Sequence, residues 1–278
     1  MRGAMINPNW GAFADALSTD TERPPVATPL EFAYIAAADS SIEWKQFDLY
    51  RRPTAYSVWI EELIKFGPTF IICSSTPSML YWRCPPMNLK AVRGTIYLIK
   101  SHLSAPVFLI GPHGTVSPDW ALGRSGATCV FRGTPERDLI PFIRAEMLGG
   151  GYSPSNHGVS IVGARELPVP DLQIFREYLP YPPHAWDLTE TERRSAFGDA
   201  SSGFLLETSR GCPYSCSYCF KAPFRDKYST CDAKFIRHSL ERVQVLGGTY
   251  VFFIDETFNI GKDEFDDKMK ILREMSMK

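Results

Sequence analysis

Long apolar runs are missing from this chain. None reaches the ~18 residues a helix needs to span a bilayer, so no membrane span is expected. The opening segment from Met1 to Asn9 holds no apolar stretch of signal-peptide length, and the expectation is a soluble, cytoplasmic protein. Charge of one sign is equally scarce: 30 basic against 31 acidic side chains leave a formal net charge of −1. That balance gives no general attraction to nucleic acid or to an anionic membrane, so neither is expected as a partner. No GxGxxG segment follows the first expected strand, which argues against a dinucleotide site. What the chain does have is length and apolar content, 278 residues at 44%, enough for two domains that each bury a core.

Cysteine is the informative residue. Seven are present, and three fall within the stretch Glu207-Thr-Ser-Arg-Gly-Cys212-Pro-Tyr-Ser-Cys216-Ser-Tyr-Cys219-Phe220. Thiolates this close together can converge on one metal centre, because a short loop brings the three sulfurs to one side. Three cysteines supply three ligands to a four-iron cube and leave one iron open to a non-protein ligand. Two other readings exist. Zinc would need a fourth ligand, for which Cys231 is available, although zinc ligands more often come as two CxxC pairs. Disulfides belong to secreted chains. Cys73, Cys84 and Cys129 read as small core residues or bystanders.

The CxxxCxxC spacing, with Tyr218 before the last cysteine and Phe220 after it, resembles the cluster loop of the radical S-adenosylmethionine superfamily. The resemblance implies a [4Fe-4S] cluster on Cys212, Cys216 and Cys219. It also implies S-adenosylmethionine chelated at the open iron, and an electron that cleaves its sulfonium to a 5′-deoxyadenosyl radical. The protein's share of such chemistry is to hold cofactor and substrate in a dry pocket.

Ahead of the cysteines, strand-like and helix-like patterns alternate. Met5 to Asn9 ends a short strand in an Asn-Pro turn, and Pro29 to Ala38 starts a helix on proline. Ile42 to Leu49 alternates like a half-buried edge strand, and Tyr56 to Phe66 is helical up to Gly67-Pro68. Thr69 to Cys73 reads as a buried parallel strand, Asn88 to Leu103 as a helix and Val107 to Ile110 as a strand. Ala127 to Phe131 is the last strand, with Glu136 to Met147 as its helix. Five such units predict a doubly wound parallel sheet of the α/β class. Its ligand would lie beyond the carboxyl ends of the strands, which read Asn7-Pro8-Asn9, Ser74-Ser75-Thr76, Gly111-Pro-His-Gly-Thr115 and Arg132-Gly133-Thr134.

In front of a radical S-adenosylmethionine motif, this layout resembles the Rossmann-like cobalamin-binding domain of the B12-dependent branch of that family. The match includes the Asn-Pro turn, the run Pro24-Pro25, Pro29-Leu30 and Tyr34-Ile35-Ala36, the Gly-Pro-His-Gly segment, and the Arg-Gly-Thr-Pro-Glu136 turn. It implies cobalamin contacts at Asn7, Ser74, Ser75, Thr76, Gly111, His113, Gly114, Thr115 and Gly133. The DxHxxG signature of domains that ligate cobalt through histidine is absent, so a lower axial histidine is not expected. His113 reads instead as a hydrogen-bonding wall. Met79, Tyr81, Trp82 and Trp120 read as core or wall.

Residues 1–147 are thus expected to form the cobalamin domain, 148–202 a proline-stiffened linker, and 203–278 the first βα units of a partial (β/α)6 barrel. Gly203 to Thr208 would be a strand delivering the cysteine loop. Ala233 to Leu246 would be a helix capped by Asp232, Thr249 to Ile254 a second strand, and Lys262 to Met277 a last helix. The family's second-strand end holds the amino group of S-adenosylmethionine, which assigns Asp255 and Glu256, with Tyr218 and Phe220, to that cofactor. Arg210 is either a carboxylate or phosphate partner or a surface or structural residue. The family's barrel has six units and only two are visible, so a truncated chain is expected. The resemblance implies methyl transfer to an unactivated carbon of a small-molecule or peptide substrate, with flavodoxin or ferredoxin as electron donor. Cyclisation or rearrangement, or a non-catalytic cobalamin-binding module, are the alternatives. Methyl transfer further requires Gly111 to Thr115 to lie on the same side of the molecule as Cys212 to Cys219.

Overall fold

The computed structural model describes residues 1–10, 29–50, 55–77, 88–149, 158–179, 202–218 and 227–277. Five parallel strands form the first sheet: β1 (Arg2–Asn7), β2 (Glu43–Asp48), β3 (Phe70–Ser74), β4 (Val107–Ile110) and β5 (Cys129–Val130), in the order β2-β1-β3-β4-β5. The reversal of winding falls between β1 and β3, the crevice where open α/β sheets bind ligands. The helices are α1 (Leu30–Ala38), α2 (Tyr56–Phe66), α3 (Lys90–His102), α4 (Pro112–Val116), α5 (Pro118–Ser125) and α6 (Pro135–Gly149).

Strand alternation divides the core cleanly. Met5, Phe70, Ile72, Phe108 and Ile110 point to the face covered by α1 and α6. Ala4, Ile6, Ile71, Cys73, Val107 and Leu109 point to the face covered by α2 and α3. Both faces are buried because each carries helices, which explains why β3 and β4 read as continuous apolar runs. Each large side chain so buried contributes about 2 kcal/mol. Helix α1 begins after Pro29 and is buried from Leu30 to Ala36. Helix α2 stops at Gly67, whose φ of 60° lets its N–H reach the carbonyl of Leu63, as expected of a left-handed C-cap. Two local differences from the sequence reading occur after β4. Gly111 to Thr115, read as a turn, is the N-cap and most of the short helix α4 (Pro112–Val116), and α5 starts two residues later on Pro118.

The segment read as a proline-stiffened linker is packed in its described part. Ser160 bridges Gly133 in parallel and so prolongs the sheet past β5. Two 3-10 helices, Ala164–Glu166 and Leu172–Tyr178, then run along the molecule. Val162, Ala164, Leu167, Leu172 and Phe175 are all buried in the same core as α1 and α6. Tyr178 closes the sheet's edge: its hydroxyl donates to the Gln46 carbonyl at 2.9 Å and accepts from the Asp48 N–H at 2.9 Å.

The second half contains β6 (Ser202–Leu206), β7 (Ser209–Arg210), β8 (Ser229–Thr230), α7 (Ala233–Val245), β9 (Gly248–Phe253) and α8 (Lys262–Glu274). Strands β6 and β9 pair in parallel across the crossover helix α7, as in the opening unit of a βα barrel. Asp232 caps α7 by accepting from the Phe235 N–H at 2.7 Å. Phe204, Leu206, Phe235, Leu240 and Val243 join the apolar cluster that also contains α1, α6 and the connector. One continuous core therefore spans both halves. No helix among the described residues is long and apolar enough to cross a membrane.

Candidate functional site

The cysteine loop leaves the carboxyl end of β6 and returns at β8. Its base is closed by the two-residue antiparallel ladder Ser209↔Thr230 and Arg210↔Ser229. Within it, Cys212 is half-buried and Cys216 exposed, both as free thiols, and Tyr218 is 90% exposed. Cys219 and Phe220, the remaining members of the expected cluster site, lie outside the described residues, as do Cys84, Met79, Tyr81 and Trp82. No group of three His, Cys, Asp or Glu side chains able to hold a metal occurs among the described residues.

The end of β9 clasps this loop. Asp255 accepts from the N–H of Thr208 at 2.6 Å, from its hydroxyl, and from the N–H of Ser209 at 2.8 Å. Burial pushes the Asp255 carboxyl up to about 6, against the pull of those hydrogen bonds and of Lys268. Glu256 accepts from the Gly211 N–H at 2.9 Å, where Gly211 turns the chain with φ at 77°. The Thr257 hydroxyl donates to the Cys212 sulfur at 3.3 Å. Three consecutive residues thus hold the strand-to-loop junction, and nothing in their spacing alone announced Thr257.

Arg210 is buried and bonded to the protein's own carboxylates, the structural role rather than a surface one. Its Nε and Nη2 donate to Glu207 Oε2 at 2.9 and 2.8 Å, Nη2 donates to Glu136 Oε1 at 2.5 Å, and Nη1 donates to the Val162 carbonyl at 3.3 Å. Its guanidinium carbon stands 5.6 Å from the centre of the Tyr34 ring. Desolvation alone would lower the pKa of Arg210, but Glu136 and Glu207 outweigh it and hold the guanidinium well above its ordinary range. Burial, followed by the charge of Glu207, keeps the Tyr34 phenol well above its usual pKa. Glu136 and Glu207 were missed as site residues. The only signal was that a buried arginine requires carboxylates, and Glu207 stands three positions before it.

Cys231, the fourth-ligand candidate for zinc, is 5% exposed. Its thiol lies 3.4 Å from the Ala164 carbonyl and 3.9 Å from that of Glu207. Burial drives its pKa far above the ordinary thiol value, which disfavours the thiolate a metal requires. Cys73 and Cys129 are core residues, as expected.

The strand ends of the first sheet form a connected rim. Asn7 is fully buried; its amide donates to Asp48 at 3.0 Å and its carbonyl accepts from the Trp10 indole at 2.8 Å. The Ser74 hydroxyl donates to the Thr76 carbonyl at 2.7 Å. Ser75 meets His113 Nδ1 at 3.1 Å, and the His113 ring stacks on the half-exposed Trp120 at 6.2 Å. Trp120 is therefore not a core residue. The Thr115 hydroxyl donates to the Gly111 carbonyl and accepts from the Gly133 N–H, each at 2.9 Å. A Cβ on Gly111 would meet Ser75 Oγ at 2.4 Å, and one on Gly114 would meet Val130 Cγ1 at 2.3 Å. Small residues at these positions let the segment after β4 close on the end of β3 at Gly111 and on β5 at Gly114.

No protein-family model and no curated protein matches the sequence. Solved structures do. The cobalamin-dependent S-adenosylmethionine radical enzyme OxsB, with aqua-cobalamin and S-adenosylmethionine bound, superposes with a TM-score of 0.68 at 18% identity over 98% of this chain and 37% of its own. The radical S-adenosylmethionine methyltransferase TsrM from Kitasatospora setae, with cobalamin and a [4Fe-4S] cluster bound, superposes with a TM-score of 0.62 at 16% identity over 98% of this chain and 50% of its own. The fold is thus the one found in cobalamin-dependent radical S-adenosylmethionine enzymes, α/β throughout, and the chain spans between about a third and a half of the length of these structures.

Proposed function

We propose that this chain is the cobalamin-binding and cluster-bearing part of a radical S-adenosylmethionine enzyme, and that the reaction is methyl transfer to an unactivated carbon of a small-molecule or peptide substrate. The observation that carries this reading is the CxxxCxxC loop at the carboxyl end of β6, clasped by the end of β9, on a fold shared with OxsB and TsrM. Thiolate donors suit iron, and the Thr257 hydroxyl aimed at Cys212 suits a charged sulfur. When bound, the cluster supplies the electron that cleaves S-adenosylmethionine, and cobalamin supplies a methyl carrier.

The residues divide the work as follows. Cys212, Cys216 and Cys219 hold the iron, with Tyr218 and Phe220 beside them for S-adenosylmethionine. Glu256 offers a carboxylate to the cofactor's ammonium, while its neighbour Asp255 fixes Thr208 and Ser209. The cobalamin contacts fall to the rim of Asn7, Ser74, Ser75, Thr76, Gly111, His113, Gly114, Thr115 and Gly133, a set of small and polar residues at the strand ends of which His113 is the one not fully buried. A flavodoxin- or ferredoxin-type donor supplies the electron.

Anaerobic reconstitution of the chain with iron and sulfide should yield a four-iron spectrum that disappears in Cys212→Ala, Cys216→Ala or Cys219→Ala. A stable zinc form that takes up no iron overturns the reading. Transfer of labelled methyl from S-adenosylmethionine into product separates methylation from cyclisation or rearrangement.

A further inference from the structure

We infer that Arg210 is a positioning residue that sets the spacing between the cysteine loop and the strand-end rim of the first sheet; this rests on the cofactor assignments just proposed. Arg210 lies two residues before Cys212, and its side chain is 2% exposed. Its guanidinium joins three parts of the molecule that are far apart in sequence. Glu207 belongs to the end of β6, and Val162 to the connector. Glu136 opens α6, 74 positions away, three residues after the rim glycine Gly133.

Each of those partners is itself anchored. The Val162 N–H donates to Thr134 Oγ1 at 2.9 Å, and the Thr134 N–H donates to the Ser160 carbonyl at 3.0 Å. Gly133 is tied to Thr115, and Thr115 to Gly111. On the other side, Arg210 sits in the β7–β8 ladder, and the next residue, Gly211, donates to Glu256. A short chain of bonded groups therefore runs from the end of β4 through the end of β5 to the first cysteine, with Arg210 as its central link. The planar fork is suited to this, since it binds two carboxylates and a carbonyl from one fixed plane. Lysine carries a single point charge and cannot hold that geometry. A surface salt bridge would slide under thermal motion; a buried, multiply bonded guanidinium does not.

The predicted consequence concerns distance rather than binding. Cob(II)alamin and the one-electron-reduced cluster are both paramagnetic, so their spin–spin coupling reports how the two sites are held. The full 278-residue chain, loaded with both, is compared with Arg210→Lys and with a charge-neutral variant, Arg210→Met with Glu136→Gln and Glu207→Gln. The triple variant avoids leaving buried carboxylates unpaired and so keeps the fold testable. Iron and hydroxocobalamin content should stay within about twofold of the parent, while the distance distribution widens about twofold in both variants.

An unchanged distribution overturns the inference. So does loss of either cofactor from a folded charge-neutral variant, because Arg210 would then serve binding rather than spacing. If the parent chain takes up neither cofactor, the functional reading fails and the inference is judged by amide exchange of the apo chain. Joint deprotection of Gly133 to Glu136 and Ser209 to Gly211 in the triple variant supports it; deprotection confined to Ser209 to Gly211 overturns it.

Discussion

Thr257, at the end of the second barrel strand, donates its hydroxyl to the sulfur of Cys212 across 3.3 Å. A hydrogen bond to a ligating sulfur withdraws charge from it and makes the more reduced state of a cluster easier to reach. Replacing Thr257 with valine keeps the shape and removes the donor. The loss of one such bond is worth about 1 kcal/mol, which for a one-electron couple is about 45 mV. The midpoint potential of the reconstituted cluster should fall by about that amount in Thr257→Val and recover in Thr257→Ser. Equal potentials in all three proteins would mean that the hydroxyl does not face the ligated sulfur.

Asp255 should titrate near pH 6 rather than at its ordinary 3.8, because burial outweighs the three hydrogen bonds it accepts and the nearby charge of Lys268. Tyr228 and Cys231 also feel its charge, and both are themselves pushed up by burial. A carboxyl whose folded pKa is raised binds more protons in the native than in the unfolded state between about pH 4 and 6. Stability contributed by this group therefore falls as pH rises through that window, by roughly 3 kcal/mol in total. Denaturant titrations from pH 4 to 7 should show that slope in the parent chain and lose it in Asp255→Asn. Carbon-13 resonances of the carboxyl would give the pKa directly.

How far the fold could be read from the residues depended on how local the cause was. Tyr56–Phe66 and Val107–Ile110 were legible to the residue, because a helical stripe ending on Gly67 and a four-residue apolar run are both local patterns. The capping of α7 by Asp232 was legible for the same reason. The connector was not. Its prolines suggest an extended, stiffened linker, yet Val162, Leu172 and Phe175 are buried against helices more than 120 residues earlier and 60 later in the chain, and that partnership leaves no periodic trace. Arg210 shows the same limit more sharply. Glu207 is three positions away, but Glu136 and Val162 are brought to it only by the tertiary fold.

Gly133 is the rim position least able to carry a side chain. Its φ is 97°, and an added Cβ would stand 2.0 Å from the Ser160 carbonyl oxygen and 2.6 Å from the Ser160 nitrogen. Both atoms are backbone engaged in the bridge that prolongs the sheet: the Ser160 N–H donates to the Arg132 carbonyl and its own carbonyl accepts from Thr134, each at 3.0 Å. They cannot move aside without breaking those bonds. Gly126 has a comparable φ of 74° with nothing within 4 Å of the added carbon. Gly126→Ala should cost about 1 kcal/mol, the strain of the left-handed backbone alone. Gly133→Ala should cost about 3 kcal/mol or more. Equal losses in chemical denaturation would show that the rim loop yields easily.

His113 should support cobalamin without ligating its cobalt. Its ring is held between two neighbours, with Nδ1 3.1 Å from the Ser75 hydroxyl and the face against Trp120 at an interplanar angle of 22°. It also stands on the five-residue α4, whose preceding Gly111 cannot accept a Cβ without displacing Ser75. Withdrawing the imidazole toward a metal would cost the Ser75 contact and the stack together. The DxHxxG pattern that delivers a ligating histidine is also absent from the chain. Cob(II)alamin bound to the protein should accordingly show no nitrogen superhyperfine splitting from histidine, and His113→Gln should leave that spectrum unchanged while weakening binding by about tenfold, the worth of one good polar contact. Splitting that disappears on 15N-histidine labelling or in His113→Gln would establish ligation instead.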